Sequence, residues 1–259
     1  MVTGDDARTP LSPATHADVF SPSNTEHSPM TTETVLIVGA SRGLGLGLAH
    51  EYAARGWRVI GTVRTANPPE ALLALAAETG NRVRVEMVDI NLPEQVTALR
   101  ERLEGERIDL LFVNAGISNG ESETIPQTST ESFTKLLVTN ALSPMRVIEA
   151  LADLVPADGV ITAMSSGLGS VANNTRAGWE IYRASKASLN TMLRSFAIRR
   201  GGSRTVLAVA PGWVRTDMGG PSATLDIETS VRGMVDAIAA RRGKPGAAFV
   251  DYLGNDVPW

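Results

Sequence analysis

Short runs of apolar, mostly β-branched residues alternate along the chain with longer segments whose apolar positions have helical spacing. The short runs fall at 34–38, 58–63, 82–88, 108–113, 159–164, 204–210 and 247–250. Segments of helical period lie between them, for example at 45–56, 93–105, 131–154 and 188–200. Continuous apolar strands indicate a sheet covered on both faces, and repeated strand–helix units indicate parallel strands joined by right-handed crossovers. The pattern therefore predicts an α/β fold with a doubly wound, parallel, seven-stranded sheet in a single domain.

Residues 1–32 do not show this alternation. They are rich in Pro, Ser, Thr and Asp without apolar period, which is typical of a disordered or loosely attached segment. They have neither the basic start nor the apolar stretch of a secretory signal, and their early acidic residues argue against a transit peptide. Met30 offers an alternative, shorter natural start. We therefore divide the chain into an N-terminal extension, 1–32, and one folded domain, 33–259.

Composition excludes several classes of function. The chain of 259 residues has no cysteine, which rules out disulfides, thiolate metal sites and cysteine nucleophiles. Its three histidines, His16, His27 and His50, are scattered, so we expect neither a metal site nor a Ser-His-Asp triad. The net charge of −4 gives no electrostatic reason to expect nucleic acid or an anionic membrane as a partner. No apolar run approaches the roughly 20 residues of a membrane span, and we expect a cytoplasmic protein.

The first predicted strand, "TVLIV", continues directly into a glycine-rich turn, "GASRGLG" at 39–45. Gly39 allows a tight turn, while Gly43 and Gly45 let the backbone approach a pyrophosphate and let the following helix pack on the strand. The N-terminus of that helix offers unpaired amides to phosphate oxygens. Because the motif follows a strand and begins a helix, it predicts a dinucleotide site rather than a turn without a ligand.

The end of the second predicted strand distinguishes between two cofactors. An NAD site usually has a carboxylate there to hold the ribose hydroxyls, but this segment reads "GTVRTAN" and contains no acid. Arg64 stands in it instead, and Arg42 lies in the glycine turn. Two guanidinium groups suit a 2′-phosphate, so we predict NADP(H) in preference to NAD(H). The alternative is that both arginines are solvated surface charges.

Further motifs follow the glycine turn in a fixed order. They are "VNAG" (113–116), Asn140, the serine pair 165–166, "YRASK" (182–186) and "PGWVRTDM" (211–218). Together with "GASRGLG" they resemble the short-chain dehydrogenase/reductase family over residues 34–259, which is nearly the whole folded chain. The stretch "SSGLGSVANNTRAGWEIYRASKASLN" and the ending "DYLGNDVPW" are similar to the C-factor and sniffer-type carbonyl reductase branch.

The resemblance implies a Rossmann fold and an NADP-dependent enzyme that interconverts a carbonyl and an alcohol in a small molecule. It implies catalytic roles for Asn140, Ser166, Tyr182 and Lys186, with Ser165 as the alternative for the catalytic hydroxyl. With the two arginines, the residues expected to hold the cofactor are Gly39, Ser41, Arg42, Gly43, Leu44, Gly45, Arg64, Asp89, Ile90, Asn114, Ala115, Gly116, Tyr182, Lys186, Pro211, Gly212, Val214 and Thr216. Family members often have Asn where this chain has Val113, and we expect this difference to affect packing more than chemistry.

Tyr182 and Lys186 lie four positions apart, which puts both side chains on one face of a helix. A phenol titrates near pH ~10 when unperturbed, and a nearby ammonium favours the phenolate, so the pair suits proton transfer with a substrate oxygen. The resemblance gives Ser166 a hydrogen bond to that oxygen and gives Asn140 a water that relays protons to Lys186. Alone, such a pair is typical of a solvated helix face; the glycine turn and the serines favour catalysis.

Other functions remain as alternatives on the same fold. A non-catalytic dinucleotide-binding sensor or signalling protein would be indicated by loss of the Tyr or the Lys, and both are present. Dehydratases and epimerases on related folds usually carry a larger C-terminal substrate domain. Fold alone does not choose between these functions, whereas the site residues do. The resemblance also implies a homodimer or homotetramer through the helices of Asn140 and Tyr182; a monomer in sedimentation at micromolar concentration would contradict it.

Overall fold

A computed structural model describes residues 32–80 and 82–259, so the predicted extension lies, apart from Thr32, outside the described residues. Its centre is a parallel seven-stranded sheet of order β3-β2-β1-β4-β5-β6-β7. The strands are β1 (Thr34–Val38), β2 (Arg58–Val63), β3 (Val83–Met87), β4 (Leu110–Val113), β5 (Val160–Met164), β6 (Thr205–Ala210) and β7 (Gly246–Asp251). Each falls close to its predicted run, and the predicted fold class is confirmed.

Seven α-helices surround this sheet in the described part of the chain. They are α1 (Gly43–Ala54), α2 (Glu70–Glu78), α3 (Pro93–Arg102), α4 (Thr130–Leu137), α5 (Ser143–Leu151), α6 (Glu180–Phe196) and α7 (Ile227–Arg241). The helix predicted over 131–154 is interrupted, because a π-turn at Val138–Leu142 separates α4 from α5. The helix predicted at 188–200 begins earlier, at Glu180, since its first turns bury polar residues such as Ser185 that hide the apolar period.

Each face of the sheet carries its own apolar core. On one face α1, α2 and α7 cover strand residues such as Ile37 and Val209. On the other face α3, α5 and α6 cover their neighbours Leu36 and Ala208. Adjacent residues of one strand therefore enter opposite cores, which explains why the strands read as continuous apolar runs rather than as alternating ones.

The prediction of right-handed crossovers is wrong for at least one connection. Helix α6 joins β5 to β6 over one face, whereas α7 joins β6 to β7 over the other, although both steps go one strand in the same direction. The two crossovers therefore have opposite hands. Packing explains the exception, because α7 lies against α1 at Gly47, where a Cβ would come within 2.7 Å of Ile227.

The carboxyl ends of the parallel strands share one edge of the sheet. The long irregular stretches predicted at 165–181 and 211–227 follow β5 and β6 at this edge, and each ends where a helix begins, at Glu180 and Ile227. Val113 closes β4 as a buried core residue, in agreement with a packing role. None of the helices in the described residues is long and apolar enough to cross a membrane.

Candidate active site

The glycine-rich turn after β1 is fixed by contacts from two neighbouring strand ends. Gly39 has a φ of +95°, a conformation that residues with a side chain rarely adopt. Its N–H donates to Thr62 Oγ1 (3.0 Å) on β2, and its carbonyl accepts from Asn114 Nδ2 (2.7 Å) after β4. A Cβ on Gly45 would lie 1.9 Å from that same carbonyl oxygen. Glycine is therefore required at both positions for this close approach of turn and helix.

A cleft of about 510 Å³ runs along the carboxyl edge of the sheet. Most residues predicted to hold the cofactor border it, namely Gly39, Ser41, Arg42, Gly43, Leu44, Arg64, Asp89, Ile90, Asn114, Ala115, Gly116, Tyr182, Lys186, Pro211 and Thr216. Three others do not border it. Gly45 packs against the turn itself, Gly212 packs against Leu225 and Tyr252, and the Val214 side chain is buried. The structure therefore brings together residues from helix α6 and from the ends of five strands that are far apart in the sequence.

The two predicted phosphate-binding arginines both border this cleft. Arg64 is exposed and follows β2, beside Thr65 and Asn67. The Arg42 Nη1 donates to Asp217 Oδ2 at 2.7 Å, and both side chains are more than three quarters exposed. An exposed ion pair of this kind contributes less than about 1 kcal/mol. Arg42 is therefore free to exchange Asp217 for a more strongly bound anion.

Helix α6 places Tyr182 and Lys186 one turn apart beside the cleft. Lys186 is buried, and its Nζ donates to the carbonyl oxygen of Met164 at 2.8 Å. The same Nζ lies 5.8 Å from the centroid of the Tyr182 ring. Burial lowers the pKa of Lys186 to about 8. At neutral pH a largely charged ammonium therefore lies beside the phenol.

The sequence led us to expect a lowered pKa for Tyr182. For the chain without a bound cofactor, this expectation is wrong. Burial raises the pKa of Tyr182 to about 12, and the nearby Ser166 side chain opposes the rise only in part. The phenol is buried, and removal from water disfavours the charged phenolate more than the neighbouring groups favour it. Tyr182 is therefore in its protonated form at neutral pH.

The two candidate serines after β5 have different surroundings. The Ser165 hydroxyl is buried and donates to Asn190 Oδ1 at 2.7 Å, an atom of α6. The Ser166 hydroxyl is half-buried, accepts from the Leu168 N–H at 3.2 Å and is close enough to Tyr182 to lower the pKa of the phenol. Ser165 thus ties its loop to α6, whereas the Ser166 hydroxyl lies next to the phenol.

Asn140 lies in the π-turn between α4 and α5 and is fully buried. Its Nδ2 donates to the Ile117 carbonyl (2.8 Å) and to Ser185 Oγ (3.0 Å), and its Oδ1 accepts from the Ile117 N–H (2.8 Å). Both amide hydrogens are therefore used within the chain. The side chain fixes the loop after β4 against α6, and the water relay through Asn140 stays a prediction.

Sequence reasoning missed several residues that shape this site. Thr62 reads as an ordinary strand residue, although its polar side chain in a buried strand is a signal that it has a specific partner. Met164 acts through its backbone carbonyl, which no residue type reveals. Asp217 meets Arg42 only because the loop after β6 folds over the glycine turn. These contacts depend on the tertiary arrangement and have no local motif.

A parallel sheet whose first strand ends in such a glycine turn, with a cleft along its carboxyl edge, defines a dinucleotide-binding α/β protein. Within that class the chain belongs to the short-chain dehydrogenase family, whose model, described as "short chain dehydrogenase", matches residues 33–225. The predicted family, a family of oxidoreductases, is thereby confirmed.

Individual relatives agree with the predicted branch. The C-signal protein of Myxococcus xanthus is 39% identical over 156 residues, which cover 59% of this chain and 93% of that protein. A short-chain dehydrogenase/reductase from Burkholderia multivorans, solved with bound NADP, is 51% identical with a TM-score of 0.85 over 88% of this chain and 100% of that one. The carbonyl reductase Sniffer of D. melanogaster is 30% identical with a TM-score of 0.81 and the same coverage, 88% and 100%.

Proposed function

We propose that the protein is an NADP(H)-dependent oxidoreductase that transfers a hydride between the nicotinamide and a small carbonyl or alcohol substrate. The observation that carries this proposal is the Tyr182 phenol beside the buried Lys186 ammonium, in the same cleft that the glycine turn borders. Reduction of a carbonyl needs a hydride and a proton at one place. A sensor that only binds a dinucleotide has no need of a buried, desolvated lysine at that place.

The residues of the cleft fit a dinucleotide. No side chain caps the N-terminus of α1, so its first amides are available to phosphate oxygens. The bare backbone at Gly39 and Gly43 allows close approach of such a group. When bound, the nicotinamide supplies or accepts the hydride. The NADP in the Burkholderia multivorans relative supports the same class of cofactor for this chain.

Arg42 and Arg64 support a preference for the 2′-phosphate of NADP(H). Both border the cleft, and no carboxylate follows β2 to hold a free ribose hydroxyl. Charge-assisted hydrogen bonds contribute about 1.5–3 kcal/mol, so Arg42→Ala and Arg64→Ala should each weaken NADPH binding roughly tenfold or more. NADH binding should change little.

Fluorescence titration of the wild type and the two variants with NADPH and NADH measures this preference. Arg232→Ala is the matched control, because Arg232 is an exposed arginine on α7 that pairs with Glu228 in the next turn. We expect this control to leave both affinities unchanged. Equal affinity of the wild type for NADPH and NADH would refute the preference.

We assign the proton transfer to Tyr182. Its protonated phenol gives its proton to the substrate oxygen as the hydride reaches the carbonyl carbon, and the reverse reaction returns the proton. Lys186 stabilises the phenolate that is left, because its ammonium lies close to the ring. Ser166 is the better candidate for a hydrogen bond to the substrate oxygen, since Ser165 is committed to Asn190.

Removal of the Tyr182 hydroxyl tests the proposal. Tyr182→Phe should lower turnover at least about a hundredfold, because general acid catalysis is lost, while NADPH binding stays within about twofold. The assay is NADPH consumption over a panel of aldehydes, ketones, quinones and keto-esters. Tyr52→Phe is the matched control, because Tyr52 is a buried tyrosine beside Trp57 whose hydroxyl has no partner among the described residues. Full activity of Tyr182→Phe would exclude this mechanism.

A further inference from the structure

Trp179 has a backbone conformation that its residue type disfavours. Its φ of 59° and ψ of 30° are left-handed, and it is the only non-glycine residue with positive φ among residues 32–80 and 82–259. It immediately precedes α6, where the residue before a helix normally has an extended backbone. For a residue with a bulky side chain this conformation costs free energy, so the surrounding contacts must impose it.

Hydrogen bonds from two segments hold Trp179 in this conformation. Its N–H donates to the Glu121 carbonyl at 2.9 Å, in the loop after β4. Its own carbonyl accepts from the Arg183 N–H at 2.8 Å, and the Arg183 Nε donates to the Gly178 carbonyl at 2.8 Å. The start of α6 is therefore tied to the loop that Asn140 fixes from the other side, through Ile117.

The strained backbone directs the Trp179 ring towards Tyr182. The two rings meet edge to face, with centroids 5.9 Å apart and planes at 64°. Both belong to a small apolar cluster, separate from the two main cores, that also contains Ile117 from the loop after β4 and Leu168 from the loop of Ser166. The indole thus meets the phenol where these two cleft loops come together.

We propose that Trp179 is a positioning residue for Tyr182: it fixes the orientation of the phenol ring and excludes water from it. The inference rests on the function proposed above, since it concerns the same proton transfer. The left-handed backbone of Trp179 thus occurs together with a ring that meets the phenol. The Lys186 Nζ lies over the same phenol ring, 5.8 Å from its centroid.

Three substitutions separate the ring from the backbone strain. Trp179→Gly removes both, Trp179→Ala removes the ring alone, and Trp179→Phe keeps an aromatic edge. We expect turnover to fall at least tenfold in the glycine and alanine variants and to stay within about threefold in the phenylalanine variant. The Kd for NADPH should stay within about twofold in all three. The glycine variant should have a Tm no lower than the alanine variant, because glycine tolerates the left-handed conformation.

The titration of Tyr182 gives a readout that does not depend on turnover. Its pKa is set by burial and by the Ser166 side chain, with the Lys186 ammonium facing its ring. Access of water in Trp179→Gly should lower this pKa from about 12 towards the ordinary 10. The phenolate absorbance of each protein is compared with that of the same protein carrying Tyr182→Phe, so that the difference reports Tyr182 alone.

Trp57→Ala is the matched control, because Trp57 is also partly buried and meets Tyr52 edge to face at 5.1 Å, away from the cleft. We expect its turnover to stay within about twofold of wild type. If Trp179→Gly keeps both wild-type turnover and the wild-type titration of Tyr182, the inference is overturned. If the wild type consumes no NADPH with any substrate, the proposed function fails, and the titration alone decides the role of Trp179.

Discussion

At the scale of single residues, burial of the Lys186 ammonium lowers the stability of the folded protein. Its pKa falls from the ordinary 10.5 to about 8 because the folded protein buries it. Between these values the unfolded chain binds more protons than the folded one, so the free energy of unfolding increases as the pH rises from 8 to 10.5. Below pH 8 the destabilisation caused by the buried charge is present in full. Converted to free energy, the shift corresponds to a cost on the order of 3 kcal/mol.

Lys186→Met should therefore raise the free energy of unfolding at pH 7. The substitution also loses the hydrogen bond to the Met164 carbonyl, which offsets about 1.5–2 kcal/mol, so we expect a net gain of about 1 kcal/mol. The gain should shrink towards pH 10, and turnover should be lost. Urea denaturation at both pH values measures it, with Lys135→Met on the exposed face of α4 as control. A less stable variant at pH 7 would show that burial does not penalise this ammonium.

Residue types and spacing predicted which residues meet in the cleft better than they predicted the environment of those residues. The order of "GASRGLG", the serine pair and "YRASK" was sufficient to predict that Tyr182 and Lys186 lie in one cleft with the glycine-rich turn. Their environment was not predictable, because the raised pKa of Tyr182 follows from burial by residues of other loops. The left-handed conformation of Trp179 was likewise not predictable, because its N–H donates to the carbonyl of Glu121, a residue that the sequence does not connect with it.

At the scale of elements, the strands were predicted well, whereas the helices were predicted only in part. The inner strands lie between two helical layers, so their apolar runs are continuous and their ends are visible in the sequence. The edge strand β3 differs, since it contains Arg84 and Glu86 and is only partly buried. The π-turn at Val138–Leu142 is invisible because its residues also suit an α-helix, and only the contacts of Asn140 with Ile117 and Ser185 distinguish it. Tertiary contacts of Asn140, rather than helix propensity, thus accompany this departure from regular structure.

The hand of the last crossover, from β6 through α7 to β7, could also not be predicted from the sequence. Local patterns indicate that α7 follows β6 and precedes β7, but not which face it covers. Its place is decided by α1, whose Gly47 accepts Ile227 and Val231 closely. Helix α1, which begins at the glycine-rich turn, is therefore supported by α7, which follows the loop after β6.

At the scale of the whole molecule, the last residues of the chain connect the far edge of the sheet to the candidate site. After β7 the chain turns back, and the Val257 N–H donates to the Phe249 carbonyl at 2.8 Å. The Trp259 ring packs 5.5 Å from Phe249 and under the Arg194 guanidinium, 5.0 Å away. The backbone oxygen of Trp259 accepts from the Ala172 N–H at 3.1 Å, and Ala172 lies in the loop that carries Ser166. This segment therefore both covers the edge strand and anchors a loop of the cleft.

Trp259→Ala should weaken this anchor. Loss of a partly buried indole should lower the free energy of unfolding by about 2 kcal/mol, somewhat less than the cost in a full core. Because the loop after β5 loses its support, amide hydrogen exchange at Ala172 should quicken and turnover should fall. The Kd for NADPH should stay within about twofold, because the glycine-rich turn and the two arginines lie on other loops. Leu253→Ala is the control, since Leu253 lies in the same segment and is 66% exposed. Unchanged exchange at Ala172 would mean that the loop is held without the Trp259 ring, by Ser165 and by the Ser170 hydroxyl, which donates to the Pro258 carbonyl.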